Sequence, residues 1–222
     1  MFENEKALLM KLCQKSNAAR QEALCGELCD RGVRYENWAD MAVVVPAAAE
    51  EVVVVCAHYD AVPYSFGFND NGMALVLVLG ELYKLPRFAE MVFTNYEEEG
   101  MRGAEFYLKN TRKKIKGCVN LDACGCFSQV YLDTLNFPAA RSLADCKQGI
   151  MPMSDAHAFT AKGISTVCFS SGPAETSFRR GIGEICMTLH NNCRDNDIKF
   201  LNFAMIEKVA EQVHKAVNLM AA

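Results

Sequence analysis

Imidazole and carboxylate side chains follow three short apolar segments of this sequence. They are His58 and Asp60 after residues 52–57, Glu97 and Glu98 after residues 91–96, and Asp122 after residues 118–121. Short segments that are continuously apolar and rich in β-branched residues are typical of strands covered on both faces. Because open α/β sheets place ligand sites at the carboxyl ends of their strands, we expect these side chains to meet at one edge of a sheet.

Two further residues that can bind a metal ion lie outside those segments. Asp70 stands at the start of an apolar helical stretch, and His190 follows the last predicted strand. The full candidate ligand set is therefore His58, Asp70, Glu98, Asp122 and His190. Imidazole and carboxylate ligands suit a pair of zinc ions, with cobalt or manganese as alternatives, whereas thiolate-rich sets are typical of structural zinc.

Each candidate ligand also has an explanation that involves no metal. His58 taken alone is compatible with a buried core histidine, and Asp70 with an ordinary helix N-cap. The acidic run 97–99 is compatible with a solvated turn. Their joint occurrence favours the metal site, because strand ends are ordinarily followed by turn residues such as Gly, Asn or Ser.

The elements that must position these side chains alternate along the chain. Helical spacing of apolar residues predicts two helices within 4–31 and further helices over 71–84, 102–113 and 200–221; the predicted strands are 41–45, 52–57, 91–96, 118–121, 129–133 and 164–169. Strands that alternate with helices predict a three-layer α/β fold with helices on both faces of the sheet. No linker composition interrupts the 222 residues, so we expect a single domain over 1–222.

Composition and charge exclude several classes of function. Lysine and arginine number 23 against 27 acidic residues, which leaves no basic footprint for nucleic acid or an anionic membrane. The apolar runs are far shorter than the ~20 residues that a membrane span requires. The 11 cysteines are interpreted as reduced core thiols, and the first residues lack a signal-peptide layout. We therefore expect a soluble cytoplasmic protein whose partner is a small molecule or peptide.

Six short motifs occur in a fixed order between residues 52 and 198. They are His-x-Asp (58–60), Gly-x-Asn-Asp-Asn (67–71), Glu-Glu-x-Gly-x-x-Gly (97–103), Leu-Asp (121–122), Ser-Asp followed by Phe and Gly-Ile (154–164), and a late histidine (190). This order resembles the di-zinc aminopeptidases related to bacterial leucyl aminopeptidase. The resemblance implies their phosphorylase/hydrolase-like fold, with a mixed, mostly parallel central sheet.

The resemblance also implies the roles of individual residues. It implies two zinc ions per chain, one held by His58, Asp70 and Asp122 and the other by Asp70, Glu98 and His190. Glu97, beside the ligand Glu98, is then expected to be the general base. Asp60 is expected to accept the second ring proton of His58 and so to orient the imidazole.

The predicted reaction is removal of the N-terminal residue from a short peptide or an amino-acid amide. A glutaminyl cyclase, which transfers an acyl group within its substrate and binds one zinc, is the first alternative. Glutaminyl cyclases resemble one another in having indole-lined pockets, and the only tryptophan here, Trp38, precedes the first metal motif, which disfavours a cyclase. An amide deacylase or carboxypeptidase stays open, since metal motifs specify the bond-breaking apparatus and not the bound end of a peptide. An inactive binding module is disfavoured by the complete ligand set.

We expect substrate contacts in the loop 171–183, with Arg179 and Arg180, and take Asp195 as the partner of His190.

Overall fold

The computed structural model describes residues 2–143, 145–151, 153–174 and 195–222. Its strands are β1 (Glu36–Trp38), β2 (Ala42–Val45), β3 (Glu51–His58), β4 (Ala89–Thr94), β5 (Lys114–Leu121), β6 (Gln129–Asp133), β7 (Lys147–Gln148) and β8 (Ser165–Gly172). They form one eight-stranded sheet in the order β1-β2-β4-β3-β5-β8-β6-β7.

The centre of this sheet is parallel and its margins are mixed. Strands β4, β3, β5 and β8 run parallel to one another. At the margins, β2 pairs antiparallel with β4 and β6 pairs antiparallel with β8. A parallel arrangement aligns the carboxyl ends of the central strands along one edge. The predicted mixed, mostly parallel sheet is confirmed.

Helices cover both faces of the sheet. They are α1 (Glu3–Leu12), α2 (Asn17–Asp30), α3 (Met73–Glu81), α4 (Arg102–Asn110), α5 (Asp155–Ala161) and α6 (Ala204–Ala221). Alternate residues of β3 enter different cores: Val53 and Val55 pack in the cluster with α1, α2, α3 and α6, while Val54 packs with α4 and α5. Burial on both faces explains why β3 is apolar without interruption.

The sequence-based prediction located every long element and missed the short ones. The helix predicted over 71–84 is α3, which begins two residues later, after an irregular turn at Phe68–Gly72. Within the described residues, the strands and α-helices that were not predicted are β1, β7 and α5, which have 3, 2 and 7 residues. Such lengths give too few repeats for a period to be recognised. Among the described helices, none combines the length and the apolar character needed to cross a bilayer.

Candidate metal centre

Three neighbouring strands bring the predicted ligands to the same edge of the sheet. His58 is the last residue of β3, and Asp122 directly follows β5. The register places Cys56 opposite Asn120, so Asp122 leaves β5 at the level of His58. On the other side, His58 is opposite Thr94 of β4. The carboxyl edge of the parallel strands therefore collects these side chains, as the sequence predicts.

The turn that carries Glu97 and Glu98 is held against β4 by a glycine. The amide of Gly103 donates to the Asn95 carbonyl oxygen at 2.9 Å. A Cβ atom at Gly103 would lie 2.6 Å from the Met41 carbonyl oxygen and 2.7 Å from the Asn95 nitrogen, closer than real Cβ contacts. Both neighbours are backbone atoms that cannot rotate away. The second glycine of the Glu-Glu-x-Gly-x-x-Gly motif thus permits this close approach.

His58, Asp70 and Asp122 form a compact donor cluster. His58 Nε2 lies 3.0 Å from Asp70 Oδ1 and 4.0 Å from Asp122 Oδ1. One donor atom from each of the three residues lies within 4.8 Å of the other two. The side chains of His58 and Asp70 are 2% and 6% exposed, so the cluster is shielded from water on most sides. One imidazole and two carboxylates at this spacing are a zinc-competent set.

The two nitrogens of His58 have different environments. Nδ1 lies 3.3 Å from Asp60 Oδ1 and 3.2 Å from the Asp60 carbonyl oxygen, so it faces two acceptors and carries the proton. Nε2 is buried and lies 3.0 Å from Asp70 Oδ1 without a hydrogen bond of regular geometry. A buried nitrogen without a hydrogen-bond partner, aimed between two carboxylates, fits a metal ligand. These three residues would hold the ion.

Charge repulsion within the centre also favours a cation. Burial, together with the neighbouring Asp70, raises the pKa of Asp122 and of Glu98 above the usual carboxyl range. Burial, followed by the charges of Asp122 and Asp155, likewise raises the pKa of Glu97. Each carboxylate disfavours ionisation of the others. A divalent cation at the cluster would stabilise all of them in the ionised form.

Asp60 behaves differently from these carboxylates. Burial opposes its ionisation, but hydrogen bonding from His58 and from the backbone amides of Glu98 and Glu97 outweighs burial and lowers the pKa of Asp60. The Glu98 amide lies 3.1 Å from Asp60 Oδ2. Asp60 therefore stays ionised and links the imidazole to the glutamate turn, which matches its expected orienting role.

The loop that presents Asp70 is fixed by side chains from three directions. Asn71 Nδ2 donates to the Leu121 carbonyl oxygen at 2.8 Å, and Asn69 Oδ1 accepts from the Gly125 amide at 2.7 Å. The peptide bond between Asp70 and Asn71 is cis. Asp195 Oδ1 accepts from the amides of Asn69 and Asp70 at 2.6 and 3.3 Å. Asp70 is thus held by both strand β5 and a segment distant in sequence.

Asp195, the predicted partner of His190, contacts the Asp70 loop among the described residues. Besides the two amides, its carboxylate accepts from the Ser65 hydroxyl at 3.0 Å, and its carbonyl oxygen accepts from the Phe68 amide at 3.1 Å. His190 lies outside the described residues, as do Arg179 and Arg180. The roles assigned to these residues stay predictions.

Asp155 is a buried carboxylate near the centre for which the sequence indicated no role. It is 1% exposed and accepts hydrogen bonds from the Thr94 hydroxyl and, at 3.8 Å, from the Cys56 thiol. Burial raises its pKa to about 6 despite the attraction of His58. Its only sequence signal is its place in the Ser-Asp motif, at the start of a helix too short to predict.

Comparison with known proteins relates the central part of the chain to a peptidase family. Residues 41–145 match the family model described as Peptidase family M28. A vacuolar membrane protease of Candida albicans is 37% identical over 79 residues, which are 33% of this chain and 9% of that protein. The chain spans about a tenth of the length of this relative. The predicted family resemblance is confirmed.

Solved structures share the fold at low sequence identity. A zinc aminopeptidase from Bacillus subtilis superposes with a TM-score of 0.61 and 22% identity, over 79% of this chain and 50% of that chain. A glutaminyl cyclase from Porphyromonas gingivalis superposes with a TM-score of 0.72 and 14% identity, over 96% and 97% of the two chains. Both similarities confirm the α/β fold that the sequence resemblance implies.

The expected cytoplasmic location is wrong. Curated relatives that match the chain are named vacuolar membrane proteases. The expectation depended on cysteines interpreted as reduced thiols, and the described cysteines are indeed free. A buried thiol, however, packs as a small apolar residue in any compartment. Core composition therefore carries no information about where the protein resides.

Removal of the Asp195 carboxylate should weaken metal binding without unfolding the protein. In an Asp195→Ala variant the amides of Asn69 and Asp70 lose their acceptor, so Asp70 is no longer held towards His58. We expect zinc affinity to fall roughly 10- to 100-fold, as for other residues that orient ligands, measured by competition with a chromophoric chelator. Asp197→Ala is the matched control, since the Asp197 side chain bonds only to Lys199 among the described residues. Equal zinc affinity in the two variants would contradict this role.

Proposed function

We propose that this chain, a relative of peptidase family M28 over residues 41–145, is a two-zinc aminopeptidase. The buried cluster of His58, Asp70 and Asp122 is the observation that carries the proposal. It lies at the edge of a sheet where α/β enzymes bind their ligands, and its three members all fall within the matched region. The proposed substrates are short peptides or amino-acid amides.

The proposed ligand sets follow the donor geometry and the motif order. His58, Asp70 and Asp122 would hold the first ion, and Asp70, Glu98 and His190 would hold the second. Glu98 lies on the turn that Asp60 fixes through its amide. Bound zinc supplies Lewis acidity at the scissile carbonyl and makes a water molecule acidic enough to react near neutral pH.

Glu97 is the proposed general base. It is half-buried at the mouth of the centre, and the charges of His58, Asp70 and Asp122 all act on it. Its carboxylate would accept a proton from the attacking water and donate it to the departing amine.

Asp60 contributes by orientation. Its two oxygens face the Nδ1 atom of His58 and the Glu98 amide, so one carboxylate fixes a ligand of each proposed ion. Since Nδ1 carries the proton, Nε2 keeps its lone pair for the metal. Its role depends on these two contacts.

Glutaminyl cyclisation is the second candidate, because the cyclase from P. gingivalis matches nearly the whole length of both chains. Trp38 argues against it. The indole stacks on Tyr107 with ring centroids 5.5 Å apart and packs in the core cluster that contains Phe159. The single tryptophan is thus occupied in the core, where it would not line a substrate pocket.

Metal reconstitution combined with a substrate panel tests the proposal. Chelator-stripped protein should be inactive towards aminoacyl-nitroanilides, and two zinc ions per chain should restore hydrolysis of substrates with a free amino group. Blocked substrates should stay intact, because an aminopeptidase requires the free amine. Metal content is measured by plasma emission spectrometry. One zinc ion with cyclisation of a glutaminyl peptide would favour the second candidate, and the absence of bound metal would contradict both.

A Glu97→Gln substitution should separate proton transfer from metal binding. The amide keeps the shape of the side chain but accepts no proton, so we expect kcat to fall about 10²- to 10⁴-fold while zinc content is unchanged. Glu99→Gln is the matched control, because Glu99 is exposed and pairs with Arg102 at 3.0 Å. Full activity of Glu97→Gln would remove Glu97 from the proposed mechanism.

A further inference from the structure

A cavity of about 290 Å³ lies directly beside the candidate metal centre. Part of its lining comes from the strand-edge turns, with Asp60 and Glu98. The remainder includes Lys15, from the connection between α1 and α2, and Arg20 of α2. The cavity thus has carboxylates where it meets the centre and cations where it meets the N-terminal helices.

Arg20 gives this cavity a permanent positive charge. The side chain is 2% exposed, and its guanidinium donates to the carbonyl oxygens of Gln14 at 2.9 Å, Tyr59 at 3.2 Å and Phe66. Within the described residues, no carboxylate pairs with it. Carbonyl oxygens satisfy the donors but do not neutralise the charge, so its field extends into the cavity.

Lys15 is exposed at the same cavity and is available for an anion. Among the described side chains, it forms no ion pair. Glu99 also lines this cavity, but its carboxylate pairs with Arg102 at 3.0 Å and so does not occupy the Lys15 ammonium. A flexible ammonium beside the buried charge of Arg20 is a receptor for a carboxylate.

A second cavity adjoins the first at Lys15. It has a volume of about 600 Å³ and shares Lys15, Pro63 and Ser65 with the first cavity. Lys15 therefore stands at the boundary between the two. The first cavity is at the small end of the size range of ligand pockets, roughly 300 to 1,000 Å³. It would accommodate about one amino-acid residue between the metal centre and Lys15.

We propose that Lys15 binds the C-terminal carboxylate of dipeptide substrates. This inference rests on the proposed function, since it places the scissile bond at the metal centre and the second residue in the 290 Å³ cavity. The ammonium of Lys15 donates a charge-assisted hydrogen bond to the substrate carboxylate, and Arg20 strengthens it through its field without contact. The substrate class is dipeptides with a free carboxyl group.

The test compares leucylglycine with leucylglycinamide, which differ only in the charge of the C-terminus. The wild-type protein should prefer the free dipeptide in kcat/KM by roughly 10- to 100-fold, as expected for one hydrogen bond to a charged group. Lys15→Met should remove this preference through a higher KM for the dipeptide, with hydrolysis of the amide unchanged. Lys15→Arg should restore part of the preference.

Lys109→Met is the matched control. Lys109 is exposed in the last turn of α4, which leads from the end of β4 to the start of β5, so it lies at the opposite edge of the sheet. Its removal changes the net charge equally and should leave the preference intact. Equal use of dipeptide and amide by the wild type, or equal shifts in Lys15→Met and Lys109→Met, would overturn the carboxylate site alone. Failure to hydrolyse the amide and every aminoacyl-nitroanilide would overturn the proposed function as well.

Discussion

The mutual repulsion of buried carboxylates around one imidazole is the constraint on which the candidate site depends. Two unit charges 4 Å apart interact by about 4 kcal/mol at an effective dielectric constant of 20, so each added carboxylate is costly. Within the described part of the chain, the cluster sets one imidazole, that of His58, against the carboxylates of Asp70 and Asp122. A divalent ion would offset this repulsion, and the hydrogen bonds of Asp60 and Asp195 would then support its ligands.

The fold supplies this arrangement through a few features. Parallel β3, β4 and β5 deliver their ends to one edge, and both faces of β3 are buried, which fixes the direction of His58. The Asp70 loop is irregular, so its conformation depends on side-chain hydrogen bonds rather than on the backbone hydrogen bonds of a helix or a β-sheet. Loops of this kind keep their geometry when a rigid scaffold anchors them at several points.

The sequence predicts the central sheet well because burial of a strand on both faces determines which residues it can contain. A strand covered on both faces must be continuously apolar, and the change from Ala57 to His58 marks the point where apolar residues are followed by residues that can bind a metal. The Asp195 contact with Asn69 spans 126 residues of sequence, and no local pattern encodes it. The cavity between Lys15 and Glu98 is formed by the N-terminal helices and the strand-edge turns together, so no local pattern encodes it either. Asp155 was missed because a seven-residue helix leaves no period to read.

The most direct test of the central claim is X-ray diffraction from zinc-loaded crystals, recorded above and below the zinc absorption edge. Anomalous difference density locates zinc independently of the protein coordinates. The account predicts a peak within coordination distance of His58 Nε2, Asp70 and Asp122, at about 2.0 to 2.2 Å from the ligand atoms. Zinc bound only by other side chains, or no anomalous peak at this cluster, would contradict the assignment of the metal centre.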